Sequence, residues 1–199
     1  MTNQRMLESY GMKPSFAIPA LLLSIALPAS AATLAERMEP CLACHGEKGK
    51  SENPEVPSLG AQPAPYSLIQ LYLFREKQRK VEVMNEYAKD LADDDLRQFS
   101  DAIAKLPAPA PEGAVDAARM QRGYALIERH HCNLCHQSNL AGRDNVPRIA
   151  AQREDYLAKA LREYKANTRV GYEPVMLEVM RPLTDADIVE LAYTIARMR

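Results

Sequence analysis

The sequence Cys-x-x-Cys-His occurs twice, once as Cys41, Cys44 and His45 and again as Cys132, Cys135 and His136. Together the two copies use all four cysteines of the chain. Two thiols three positions apart can add across the two vinyl groups of one porphyrin, and the histidine that follows then falls beneath the iron. The spacing therefore reads as c-type haem attachment. A disulfide, a redox Cys-x-x-Cys and a zinc site are the alternatives, but a zinc site made of four cysteines needs no histidine after each pair. The expectation is two covalently bound haem c groups, and hence an interior built around two large rigid cofactors.

The motifs stand 91 residues apart, and more than the motifs recurs. "VPSLGAQPAPYSL" (Val56 to Leu68) matches "VPRIAAQREDYLA" (Val146 to Ala158) at an offset of 90. Val56, Pro57, Gln62 and Tyr66 correspond to Val146, Pro147, Gln152 and Tyr156, and Arg79 to Arg169. "LADDDLRQFSDAI" (Leu91 to Ile103) matches "LTDADIVELAYTI" (Leu183 to Ile195) at an offset of 92. One module is written twice. Between the copies lies "PAPAPEG" (Pro107 to Gly113), whose three prolines make a semi-rigid linker. The expected domains are residues 32–106 and 114–199, joined by 107–113. Modules of this size bury a marginal core, which a covalent haem can complete.

The segments read as helices, with no run of alternating strand residues. In the last, Ile188, Leu191, Ala192 and Ile195 follow the i, i+3, i+4, i+7 pattern, with Thr184 as N-cap and Asp187 three residues on. The matching helix of the first copy puts Leu96, Phe99 and Ile103 on its apolar face. Middle helices are expected over Tyr66–Phe74 and Asp155–Tyr164. A further helix over Ala117–His131 leads into the second motif, whereas the helix ahead of Cys41 is very short.

Residues 1–31 have the form of a secretory signal. Arg5 and Lys13 precede the apolar run Phe16 to Leu27, and Ala29-Ser30-Ala31 is a cleavage site. That run is short for a membrane span, which needs about 20 residues. The mature chain is expected to begin near Ala32 and to work outside the cytoplasm, with an uncleaved anchor as the alternative. The formal charge is −1, and no clustered basic face points to nucleic acid.

The second axial position of each iron separates electron transfer from catalysis. After His45 and before the linker the only methionine is Met84, seven residues before Leu91. Met176 stands seven residues before Leu183. A lone methionine is ordinarily core filler, but two at one repeat position make Met84 and Met176 the candidate ligands opposite His45 and His136. Met180, whose counterpart is Ala88, is the rival to Met176 and is expected to pack beside the haem edge. Met198 is too near the chain end. Pro57 and Pro147 offer carbonyls that could orient the axial histidines. Arg79, Arg169, Tyr66 and Tyr156 could face haem propionates, with ordinary surface and core roles as the alternative. His130 and His131 correspond to Glu39 and Pro40, so the repeated function cannot depend on them; they are expected to form a solvated helix end.

"CLACHG" and "CNLCHQ", the "VP…Q…Y" segments, the aligned Met84 and Met176 and the L-x-D-x-D helix starts resemble class I cytochromes c, in particular the bacterial dihaem cytochromes c4. The resemblance covers essentially all of the expected mature chain. It implies an all-α fold of two tandem class I cytochrome c domains related by a pseudo-twofold axis, with the haem propionate edges approaching each other between them. Gln137 departs from the family's glycine after the motif, which Gly46 keeps.

The implied function is a periplasmic electron carrier between a quinol-oxidising complex or dehydrogenase and a terminal oxidase, and not an enzyme. The alternative is a dihaem electron-accepting subunit of a periplasmic dehydrogenase. A dihaem peroxidase ranks below both, because it needs one iron without its sixth ligand. The expected partners are redox proteins, not nucleic acid, and peripheral association with a membrane stays open.

Overall fold

Each copy of the repeat starts its last helix with an acidic first turn, in which Asp95 or Asp187 accepts from the backbone N–H of the residue ahead of the helix. The computed structural model describes residues 32–169 and 174–199. The expected export segment lies outside the described residues. Among the described residues there are nine helices and no strand, only one isolated bridge pairing Arg143 with Val146.

The first copy forms α1 (Leu34–His45), α2 (Ala64–Arg75), α3 (Glu82–Ala88) and α4 (Asp93–Lys105). Thr33 and Glu36 cap α1 reciprocally: the Thr33 hydroxyl accepts from Glu36 N at 3.3 Å, and the Glu36 carboxylate accepts from Thr33 N at 2.7 Å. The second copy forms α5 (Ala117–Arg129), α6 (Cys132–His136), α7 (Glu154–Lys165), α8 (Pro174–Met180) and α9 (Asp185–Ala196). Thr184 caps α9 as its sequence implies, accepting from Asp187 N at 3.2 Å while the Asp187 carboxylate accepts from Thr184 N at 2.8 Å. Among the described residues no helix is long and apolar enough to cross a membrane.

The helix expected over Ala117–His131 ends two residues sooner. Arg129 is its last residue, His130 caps it, and His131 turns left-handed at φ 55° before α6 starts afresh. The apolar stripe that defines α5 carries no information about a single reversed backbone angle. His130 is half-buried and His131 exposed, a solvated helix end as expected.

Packing is strongest within each copy. In the first, α2 lies on α3 and α4, with α1 against α4. In the second, α9 is sandwiched by α5 and α7, and α8 rests on α7. Leu96, Phe99 and Ile103 are buried on α4, and Ile188, Leu191, Ala192 and Ile195 on α9, as their spacing predicts. A fully buried Leu or Ile contributes roughly 1.5–3 kcal/mol. Helix α5 approaches α9 through Gly123, where a Cβ would stand 1.8 Å from Thr194 Oγ1.

The two copies meet along a seam of reciprocal hydrogen bonds. The Gln62 amide donates to the Arg148 carbonyl at 2.7 Å and accepts from Arg148 N at 3.0 Å. The Gln152 amide donates to the Ser58 carbonyl at 2.9 Å and accepts from Ser58 N at 2.7 Å. Gln62 corresponds to Gln152 and Ser58 to Arg148, so each copy does to the other what the other does to it. That exchange is the mark of a twofold interface, here within one chain. Arg153 adds a bond to the Ser51 carbonyl at 3.0 Å, and Lys159 pairs with Glu55 at 2.9 Å. Residues 32–199 consequently cluster as one compact unit.

Candidate metal centres

Helix α1 carries Cys41, Cys44 and His45 in its last turns, and α6 carries Cys132, Cys135 and His136. One turn of helix puts residues three and four apart on one side, which lets both thiols and the imidazole address one ligand. Cys41 and Cys132 are half-buried, Cys44 and Cys135 exposed, and none is paired in a disulfide. Burial pushes the Cys41 and Cys132 thiols above the usual range. Among the described residues no group of three or more His, Cys, Asp and Glu is placed to hold a metal ion by itself.

Both motif histidines are buried and oriented alike. His45 Nδ1 lies 2.7 Å from the Pro57 carbonyl, and His136 Nδ1 lies 2.8 Å from the Pro147 carbonyl. A carbonyl can only accept, so Nδ1 must carry the proton, which leaves the Nε2 lone pair free for a metal. Burial holds both imidazoles below the usual histidine range, and the carbonyl bond opposes it only in part. Each site thus presents two free thiols and one neutral, pre-aimed imidazole. That donor set suits a covalently held haem with a histidine beneath its iron.

The turn after each motif is the same in both copies despite the change of residue. Gly46 has φ 86° and ψ 141°, and a Cβ there would meet the Lys50 carbonyl oxygen at 1.9 Å. Gln137 has φ 71° and ψ 164°, a conformation suited to glycine and strained for any other residue.

Met84 is half-buried on α3, and Met176 is half-buried on α8 beside the second core. Met180 is 2% exposed and packed inside that core, and Met198 is buried there too. Asn85, which the repeat does not flag, is buried next to Met84. Its amide donates to the carbonyls of Phe74 and Arg79 at 2.7 and 2.9 Å and accepts from Val81 N at 3.0 Å. It ties the segment bearing Met84 to the end of α2. Glu82 and Glu86 share the same short helix, so the sequence carries no signal that singles Asn85 out.

The four residues considered for the propionates come together across the seam. Arg79 of the first copy and Arg169 of the second both donate to the Tyr156 hydroxyl, at 3.3 and 3.0 Å. Arg79 also reaches Gln70, and Arg169 pairs with Glu163. Burial raises the Tyr156 phenol, but the two guanidiniums outweigh it and pull the group below the ordinary tyrosine range. Burial and the neighbouring Tyr156 push Tyr66 up.

No protein-family model matches the sequence. The thiosulfate dehydrogenase electron acceptor of Thiomonas intermedia (strain K12) is 30% identical over 188 residues, covering 86% of this chain and 84% of that protein. The cytochrome c4 of Thiocapsa roseopersicina is 30% identical over 141 residues, covering 66% of this chain and 72% of that protein. Among solved structures, the reduced recombinant cytochrome c4 from Pseudomonas stutzeri matches with a TM-score of 0.77 at 26% identity, covering 83% of this chain and 97% of that one. Such relatives are dihaem c-type electron carriers rather than enzymes, and the two cysteine pairs here fit two haem c groups. The sequence repeat, the two matched histidine sites and these likenesses agree: the chain belongs to the cytochrome c4 family of dihaem class I cytochromes c.

Proposed function

We propose that this chain relays single electrons through two haem sites of matched construction: Cys41, Cys44, His45 and Met84 in the first, and Cys132, Cys135, His136 and Met176 in the second. The haem supplies reversible one-electron exchange at its iron when bound. The chain supplies the rest. His45 and His136 offer Nε2 in a fixed orientation because Pro57 and Pro147 hold Nδ1. Met84 and Met176 would supply the second ligand to each iron, and a thioether in that role would favour a higher potential than a second imidazole. Met180 is engaged in core packing, which supports Met176 over it. Cys44 and Cys135 are exposed, so one edge of each attachment site lies at the surface, where an electron can enter or leave.

The observation that carries this reading is the reciprocal Gln62 and Gln152 seam, which holds two equivalent sites in one fixed relation. The modules span residues 32–106 and 114–199 with 107–113 as linker. The chain works in the periplasm after export on residues 1–31, between a quinol-oxidising complex or dehydrogenase and a terminal oxidase. A second reading is favoured by the name of the Thiomonas relative: a dihaem acceptor for a periplasmic dehydrogenase, with a thiosulfate-oxidising enzyme the first to try.

The test begins with protein from an exporting host, whose denatured mass should gain two haems and lose residues 1–31. The oxidised form should show a sulfur-to-iron charge-transfer band, and Met84→Ala and Met176→Ala should each remove about half of it, since each opens one of two irons. Each variant should bind carbon monoxide readily where the parent does not. Loss of the band in Met180→Ala but not in Met176→Ala overturns the second axial assignment. Peroxidase turnover in the parent overturns the carrier, and tight co-purification with a dehydrogenase favours the second reading.

A further inference from the structure

Arg148 is held by its backbone, while the Nε of its side chain has no partner among the described residues. Gln62 fixes its N–H and its carbonyl from across the seam. It directly follows Pro147, whose carbonyl receives the His136 bond at 2.8 Å. Its side chain is half-buried, and its Nε is, among the described residues, the one buried side-chain nitrogen or oxygen without a hydrogen-bond partner. Other arginines around it have acceptors: Arg79 has Gln70 and Tyr156, Arg153 has Asp155, and Arg169 has Glu163 and Tyr156. Burial lowers the Arg148 guanidinium, with no carboxylate among the described residues offsetting it.

A guanidinium cannot escape this cost by losing its proton, and a buried N–H left unmatched is costly. The partner that its planar fork fits is a carboxylate. Arg148 is one peptide from the proline that orients His136, which sets it in the neighbourhood of whatever His136 ligates. In a c-type site that ligand brings two carboxylates. The first copy has Ser58 at this position, whose hydroxyl accepts from Ser51 N at 3.1 Å. The repeat therefore preserves the backbone role and adds a cation to one site only.

We propose that Arg148 is a positioning residue of the second haem, binding a propionate carboxylate through its guanidinium and raising the reduction potential of that site. The inference rests on the reading that His136 ligates the second iron. The sign follows from charge: the oxidised iron carries one more positive charge, so a nearby cation disfavours oxidation.

The experiment is a spectroelectrochemical titration of the full-length dihaem protein, comparing parent, Arg148→Met, Arg148→Gln and Arg148→Lys, with circular dichroism to confirm folding. Met176→His lowers the potential of the iron it ligates and so labels the second step; if neither step falls, the axial assignment fails separately and Met180→His supplies the label. Arg148→Met and Arg148→Gln should lower the second step alone. They should move the sharing of one electron towards the first haem by a factor on the order of ten, from a unit charge about 10 Å away at an effective dielectric near 20. Arg148→Lys should restore most of the shift, and the propionate bending band in resonance Raman should move in the neutral variants. Unchanged steps, a shift confined to the first step, or equal losses in all three variants with an unmoved propionate band overturns the proposal.

Discussion

The two modules hold their histidines in nearly the same way, at 2.7 and 2.8 Å from a proline carbonyl, yet they are scaffolded very differently. The second core gathers Leu126, Ile127, Leu157, Ile188, Leu191 and their neighbours around α9, with the 13-residue α5 laid across it. The first module is more sparsely filled: Met38, Phe99 and Ile103 form its core cluster, with Leu73, Phe74, Ala88 and Leu96 also buried, and the helix on the same side is α1, which starts at Leu34 and is already delivering cysteine by its eighth residue. The approach to the motif differs too. Pro40 sits inside α1, where it lacks an N–H to donate, while its counterpart His131 breaks the helix with a left-handed turn. Site geometry is therefore set locally, by the motif and the proline loop, and core size can vary around it.

The largest expected effect follows from that inequality. Cys41→Ser with Cys44→Ser, which prevents covalent attachment in the first module, should unfold α1 to α4, whereas Cys132→Ser with Cys135→Ser should leave part of α5, α7 and α9 protected. Hydrogen exchange resolved by residue reads this, and equal protection in the two apo modules defeats the comparison. Next, Gly123→Val drives a side chain into Thr194 where α5 crosses α9. Overpacking of this kind costs about 2–3 kcal/mol, and it should appear as a lower denaturation midpoint of the second module with the first unchanged.

Two smaller substitutions exchange features between the modules. Gln137→Gly gives the second turn the residue its backbone asks for, and should stabilise that module by about 1–2 kcal/mol as the strain is removed. Chemical denaturation followed at the Soret band measures it, and a destabilised variant would show that the Gln137 side chain has a role of its own. Ala92→Thr gives α4 the full cap that Thr184 gives α9; at present Ala92 has no side-chain acceptor, and only the reverse bond from Ala92 N to Asp95 at 2.9 Å exists. The gain should be about 0.5–1 kcal/mol. The Arg37 ion pair and the Ala92 N–H hold the Asp95 carboxyl below its usual 3.8. The contribution of its ionised form is thus present above that pH and lost as pH falls through the lowered folded value. A thermal melt at two pH values checks both statements.

Much of this molecule was legible before any coordinate. The helix pattern of α4 and α9, the Thr184 cap and the proline carbonyls all follow from side chains acting within their own neighbourhood. What stayed hidden depends on a partner distant in sequence or on backbone angle. Gln62 and Gln152 recur visibly, but that each clasps the other copy's main chain is a fact about two segments some 90 residues apart. The break at His131 is one φ angle inside an unbroken stripe. Asn85 is one of three polar residues in the seven-residue α3, and nothing in the sequence sets it apart from Glu82 and Glu86. Arg148 falls at a position where the two copies differ, so alignment of the repeat passes over it.

The exchanged glutamine bonds have a bearing on dilution. Because each copy presents the same clasp to the other, a single module would be complementary to itself, and two free modules could pair only as concentration allowed. Joining them through Pro107 to Gly113 makes the encounter intramolecular, and short linkers hold tethered partners at effective concentrations of around a millimolar. The haem pair thus stays assembled however few copies of the protein are present, and the distance an electron must hop no longer depends on how much of the carrier has been made.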